Sequence, residues 1–289
     1  MTLKNTAACL LLIALALLRP AFAVQVQDDR GVTVAFAAPP KRVVSLLPSL
    51  TESVCALGQC NRLVGVDRYS NYPLQVQKLP ALGGGLDANI EGIVALKPDL
   101  VLLAGSARIA NRLEALGIKV LALEPRQHAD LQIVLQKLGV VLGVPDDAVR
   151  VWRTIQSDID TAARAVPGAA RGLRVYFEVG RGPYAAGESS FMGQTLARLG
   201  ARNVVPAALG AFPLLNPEFV VRANPDVLMV SQSGLSAVLA YPGWTALRAV
   251  QAKRICVFSA SESDVLVRPG PRMAEAAQLM ARCLRSSLP

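Results

Sequence analysis

Short, unbroken apolar runs alternate with longer stretches of mixed polarity along almost the whole chain. In the first half the runs fall at 42–46, 63–66, 100–103 and 119–123. Continuous hydrophobicity over so few residues is the pattern of strands buried on both faces of a parallel sheet. Between the runs, Ser49 or Thr51 caps a helix that runs through Ala56 and stops at Gly58, and a second helix at 108–116 stops at Gly117. A short segment at 24–40 precedes them, with β pairing expected around 32–36. Two helices follow, at 129–142 and 145–165. The second opens on Pro145-Asp146-Asp147 and is stopped by Pro167-Gly168. At 1.5 Å per residue, about 20 residues make a rod of about 30 Å. The second half repeats the alternation: runs at 174–178, 203–205, 227–230 and 255–258, with helices at 192–199 and 271–284. The expected fold is α/β: two doubly wound parallel-sheet lobes, 24–143 and 169–289, joined by one long rigid α-helix within 144–168.

One segment occurs twice. Asn89-Ile90-Glu91-Gly92-Ile93-Val94-Ala95-Leu96-Lys97-Pro98-Asp99-Leu100-Val101-Leu102 returns as Asn216-Pro217-Glu218-Phe219-Val220-Val221-Arg222-Ala223-Asn224-Pro225-Asp226-Val227-Leu228-Met229. Asn, Glu, Val, Pro and Asp keep their places, and apolar positions match apolar ones. The separation is too wide for a solenoid, whose periods run to about 20–50 residues, and points to two related lobes. Asn89 and Asn216 are good helix caps, since the side chain accepts a backbone N–H of the first turn. Pro217 falls where its missing donor costs nothing. Each short helix must end by Lys97 or Asn224, because a residue before proline avoids the α region. Glu91 and Glu218 stand near the positive ends of the helix dipoles. They serve either as helix-end residues or as two matched acidic tips of a symmetric docking surface.

The ends change the picture. Residues 1–23 read as a secretory signal: Lys4 gives the n-region charge, 10–18 the short apolar core, and Ala21-Phe22-Ala23 a small-x-small cleavage site. That core is shorter than the roughly 20 residues a membrane span needs. Removal of the segment takes Lys4 and Arg19 with it and lowers the formal charge from +9 to +7. The remaining basic residues are scattered, without the tract or aromatic interleaving of a nucleic-acid surface. The expected compartment is the periplasm, and the free chain is expected to be a monomer. Four cysteines remain, Cys55, Cys60, Cys256 and Cys283, and three pairings are open to them. Cys55 and Cys60 could close a small loop; Cys256 and Cys283 could meet if the last helix covers the strand at 255–258.

Catalytic signatures are missing. The single histidine, His128, sits at a helix start and reads as a surface or capping residue. There is no nucleophile elbow, no zinc-protease pair and no P-loop, and Gly83-Gly84-Gly85 lacks the lysine of a phosphate cradle. No cysteine–histidine cluster marks a metal site. What remains is a set of aromatic and basic residues on loops after strands: Tyr69 and Tyr72, Tyr184, and Arg268, with Phe212 ahead of the second repeat. Ligands of open parallel sheets sit outside the carboxyl ends of the strands. With aromatics only 5% of the chain, their gathering there favours a flat, partly apolar ligand; the alternative is that each packs its own loop.

At Tyr69-Ser70-Asn71-Tyr72-Pro73 and at Ile93-Val94-Ala95-Leu96-Lys97-Pro98-Asp99-Leu100-Val101 the sequence resembles the periplasmic cobalamin-binding proteins, helical-backbone substrate-binding proteins of ABC importers and relatives of the haem and iron-siderophore binders. The likeness covers 41–286. It implies two lobes on one rigid helix, with little closure on binding, and a corrinoid such as cobalamin as transported ligand rather than a cofactor. It further implies Tyr69, Tyr184 and Phe212 as aromatic contacts and Asp264, Val265, Leu266, Val267 and Arg268 as a loop touching the corrin side chains. Glu91 and Glu218 then dock on arginines of the membrane permease dimer. Gly85 and Ala104 stand where the best-known relative has tryptophans, Val265 and Leu266 replace aromatics, and Leu199 stands near a family cysteine. The resemblance therefore implies a roomier, less aromatic pocket. Haem or an iron-siderophore is the alternative ligand, and an exported hydrolase the alternative class.

Overall fold

The computed structural model describes residues 23–85, 87–180 and 182–288. Apart from Ala23, the expected signal at 1–23 lies outside the described residues. An antiparallel hairpin of β1 (Val24–Gln27) and β2 (Thr33–Phe36) comes first. Then β3 (Val43–Ser45), α1 (Pro48–Ala56), β4 (Leu63–Val66), α2 (Ile90–Ala95), β5 (Leu100–Leu103), α3 (Ala110–Ala115) and β6 (Val120–Ala122) wind a parallel sheet in the order β4-β3-β5-β6. Helices α4 (His128–Leu142) and α5 (Pro145–Arg164) follow. The second sheet is built from β7 (Arg174–Gly180), β8 (Tyr184–Ala185), α6 (Phe191–Arg198), β9 (Arg202–Asn203), α7 (Pro217–Ala223) and β10 (Val227–Ser231). It is completed by α8 (Leu235–Ala240), α9 (Arg248–Gln251), β11 (Ile255–Phe258), α10 (Ala260–Leu266) and α11 (Met273–Ser286). Its parallel strands run β9-β7-β10-β11, and β8 returns antiparallel along the end of β7. Both sheets thus have the order 2-1-3-4, the two-lobed α/β fold expected.

The repeat has a physical cause in each lobe. Asn89 accepts from the Gly92 amide and Asn216 from that of Glu218, both at 2.9 Å. Lys97 and Asn224 leave their helices with left-handed backbones, φ 46° and 42°, in front of Pro98 and Pro225. The aspartates then anchor the next strand. Asp99 accepts from the amides of Lys41 and Arg42, at 2.8 and 2.9 Å, and Asp226 from that of Arg174 at 3.0 Å. Val43 consequently pairs with Leu100 as Val175 pairs with Val227. Pro-Asp is a register lock, used once per lobe.

One apolar core runs through both lobes. It joins Leu50 of α1, Leu135 of α4, Ile155 and Ile159 of α5, Phe177 of β7, Leu196 of α6 and Met280 of α11. Helix α5 is therefore packed along its length against α4 and α11, and is not a free strut. Two smaller clusters cover the outer faces of the sheets. The cysteine pairings left open by sequence are Cys55–Cys60, closing the turn after α1, and Cys256–Cys283, tying β11 to α11. Among the described residues no helix is long and apolar enough to cross a membrane.

Candidate ligand cleft

The carboxyl ends of the two sheets face each other, and contacts at both flanks hold them there. On the first flank β4 ends in Asp67, whose buried carboxylate accepts from the Tyr69 amide at 2.8 Å and from the Ser70 hydroxyl. Burial pushes that carboxyl above its usual range, against these hydrogen bonds. The Ser70 hydroxyl meets Thr51 at 2.8 Å, and Thr51 donates to Ser45 at 2.8 Å. This chain of buried hydroxyls fixes the turn and leaves the Tyr69 ring outside, 60% exposed.

Across from it stands α10. Asn71 donates to Asp264 at 2.7 Å. Arg268 is 8% exposed and donates to Glu52 at 3.1 Å, to Asn71 at 2.8 Å and to the Tyr69 carbonyl at 3.0 Å. It also pairs with Asp264 at 3.0 Å. Arg272 reaches the same Glu52 carboxylate at 2.7 and 3.0 Å, with its guanidinium 4.2 Å from the Tyr72 ring centroid. A buried carboxylate survives only when paired and hydrogen-bonded, and Glu52 is met by two guanidiniums from the other lobe. Arg268, expected to offer donors to a ligand, is thus anchored by this clasp while still lining a depression beside it; Tyr72 is stacked on Arg272.

His128 forms the second flank, which corrects its reading as a surface or capping residue. Its ring Nε2 lies 2.9 Å from the Thr195 hydroxyl and 3.2 Å from the Phe191 carbonyl, both on α6. Its amide donates to Gln194 at 3.0 Å, and Gln194 donates in turn to Gln127 at 3.3 Å. Burial holds the imidazole below its usual pKa, so the neutral ring is favoured.

Between the flanks lie the walls. Leu47, Pro48, Tyr69, Asp264 and Val267 line a depression of about 470 Å³. On the second lobe Tyr184 pairs across from Leu214, and Phe212 lies two residues before Leu214 in the chain. These three are 44%, 59% and 41% exposed. Phe212 is braced by Phe191, centroids 6.2 Å apart. Val265 and Leu266 depart from expectation: at 3% and 1% exposed they point into the core, because α10 turns its apolar face toward α11. Of that stretch Asp264, Val267 and Arg268 line the depression. Beneath the second wall, Glu178 is 5% exposed, accepts from the Tyr176 hydroxyl at 3.1 Å, and is pushed up to about 7 by burial.

Residues 43–261 match the family model described as periplasmic binding protein. The chain belongs to that family. It is a substrate-binding transport protein rather than an enzyme, and what it holds is a transported ligand rather than a cofactor. A vitamin B12-binding protein of Pectobacterium carotovorum is 29% identical over 262 residues, 89% of this chain and 92% of that one. An uncharacterized ABC transporter substrate-binding lipoprotein of Bacillus subtilis is 28% identical over 274 residues, 91% of this chain and 86% of that one. The crystal structure of a periplasmic heme-binding protein from Pseudomonas aeruginosa superposes with a TM-score of 0.75 at 28% identity, covering 86% of this chain and 95% of that one.

In this periplasmic binding protein the two repeat glutamates occupy equivalent places. Each opens a short helix that feeds an inner strand, so each stands at the carboxyl edge of its sheet. Glu91 is exposed, and the Glu218 side chain is 78% exposed with Arg222 3.8 Å away. Sequence reasoning did not find Glu52, Arg272 or Arg68 as cleft residues. Glu52 lies mid-helix and Arg272 at a helix start with no local signal; only Arg68, beside Tyr69, carried one.

Proposed function

We propose that this protein captures a corrinoid in the cleft and delivers it to an ABC importer from outside the cytoplasm, after export on a cleavable signal peptide. The observation that carries the reading is the cleft with the exposed Tyr69 ring on the first lobe and the exposed side chains of Tyr184, Phe212 and Leu214 on the second. The B12-binding relative, matched over nearly its whole length, supports it. A flat macrocycle suits such walls, since tyrosine offers a broad apolar face with a polar tip. In this reading Tyr69, Tyr184, Phe212, Asp264 and Val267 touch the ligand. Arg268 acts by holding the Tyr69 turn, while Glu91 and Glu218 meet arginines of the permease dimer. Isothermal titration with cyanocobalamin tests it: saturable one-site heat is expected, and its absence rejects the corrinoid.

Haem is the second reading, favoured by the exposed Tyr69 phenol and by the heme-binding neighbour. Tyrosine is a known axial ligand of haem iron. An absorption spectrum of the protein mixed with hemin separates the two, because iron–tyrosinate ligation has its own charge-transfer bands.

A further inference from the structure

Basic residues that lie scattered along the chain are gathered by the fold. The second sheet runs β9-β7-β10-β11, and its amino edge is the end away from the cleft. Arg202 opens β9, Arg174 opens β7, and Lys253 and Arg254 lead into β11. Arg171 stands in the turn before β7, and Arg248 opens α9. All but Arg254 are exposed. In the segments that lead into the four strands, 168–174, 200–202, 224–227 and 252–255, Asp226 is the one acid. It is already engaged, accepting from the Arg174 amide at 3.0 Å and from the Arg248 guanidinium at 2.9 Å.

This row differs from an ordinary solvated rim. Arg174 and Arg202 are direct register partners on neighbouring parallel strands. Such strands lie about 4.8 Å apart, and like charges placed opposite each other are destabilising. Folding alone gives no reason to keep that pair. Lys253 has a left-handed backbone, φ 57°, just past the end of α9, where glycine would cost less. Of the cations on this edge, Arg248 alone pairs with an acid among the described residues. In the first lobe, Arg42, Arg62 and Lys119 at the same edge donate instead to the backbone carbonyls of Leu96, Pro40 and Ala35.

Guanidinium and ammonium groups left without a carboxylate suit phosphate. The segments that form the row contain no aromatic residue on which a base could stack. That favours a surface of clustered phosphates over nucleic acid, and a protein that delivers to a membrane importer meets such a surface in the bilayer. We propose that the amino edge of the second sheet is a docking face for anionic phospholipid headgroups. Strand β7 is 7 residues long, which at 3.3 Å per residue puts the cleft about 20 Å away. The protein can therefore rest on a bilayer by this face with the cleft clear of it.

Sedimentation of the purified protein with vesicles is the experiment. At low salt it is expected to follow vesicles of equal parts phosphatidylglycerol and phosphatidylcholine, and to stay in solution with phosphatidylcholine alone. Rising sodium chloride should release it. Arg174→Gln with Arg202→Gln lowers vesicle affinity by about tenfold or more, each cation near the surface being worth about fivefold. The same double variant melts no lower than wild type, because it removes the like-charge pair. Lys41→Gln with Lys97→Gln takes equal charge from the first lobe and leaves affinity within about twofold of wild type. If that pair weakens binding as much as the second-lobe pair, net charge rather than this face is read, and the proposal fails. It fails too if wild type ignores phosphatidylglycerol. Release by inorganic phosphate at an ionic strength where chloride has no effect would make the row a site for free phosphate and overturn the bilayer. None of these outcomes bears on which ligand fills the cleft.

Discussion

Glu178 shows how much one buried side chain sets. Its carboxyl, raised from 4.5 to about 7, favours the protonated form in the folded protein. A raised folded pKa stabilises the fold fully below the unfolded value and loses that contribution as pH climbs through 7. Urea unfolding is therefore expected to show wild type weakening between pH 5 and pH 8, while Glu178→Gln holds level and exceeds it at pH 8 by up to about 3 kcal/mol. Equal pH profiles would mean that the carboxylate finds another partner. His128 runs the opposite way: burial lowers its pKa below 6.5, so acidification costs stability that His128→Gln would not lose. The lock aspartates make a third case at this scale. Asp99→Ala, removing an acceptor for two backbone amides, should cost about 1–2 kcal/mol by thermal unfolding. No loss would show the Pro-Asp repeat to be incidental.

Elements explain what the sequence could and could not disclose. Buried parallel strands announce themselves as unbroken apolar runs, so the inner strands were legible to within a residue or two, and the cap-and-proline signals delimited α2 and α7. Cys256 and Cys283 were legible as candidates because a strand and a covering helix are local readings. The clasp was not. Glu52 sits inside α1 and meets Arg268 and Arg272 more than 200 residues later, a contact that no periodicity encodes. Val265 and Leu266 were misplaced for the same reason: the rotation of α10 is set by its packing on α11, not by its own pattern. Replacing both clasp arginines by alanine leaves a buried carboxylate uncompensated and is expected to cost about 3–5 kcal/mol. It should also weaken ligand binding by freeing the Tyr69 turn; a double variant as stable as wild type would refute the clasp. The repeat helices make the docking prediction. Glu91→Arg with Glu218→Arg should abolish uptake in a transport assay while leaving ligand affinity unchanged, each lost charge-assisted pair being worth about 1.5–3 kcal/mol. Uptake that survives both reversals reduces the glutamates to helix ends.

The molecule as a whole carries the binding account. Two sheets of the same strand order turn their carboxyl ends toward each other, one apolar core runs through both lobes, and polar clasps close both flanks of the groove. A core continuous through α5 resists lobe rotation, because packed interiors repack in steps rather than flex. X-ray scattering with and without cyanocobalamin is expected to superpose; a clear fall in radius of gyration would mean a hinge that the core should forbid. The most direct test of the central claim is a crystal structure with cyanocobalamin bound. It should place the corrin plane between Tyr69 and the Tyr184–Phe212 face. A corrin bound away from both aromatics, or a cleft left vacant at saturating ligand, would contradict the account.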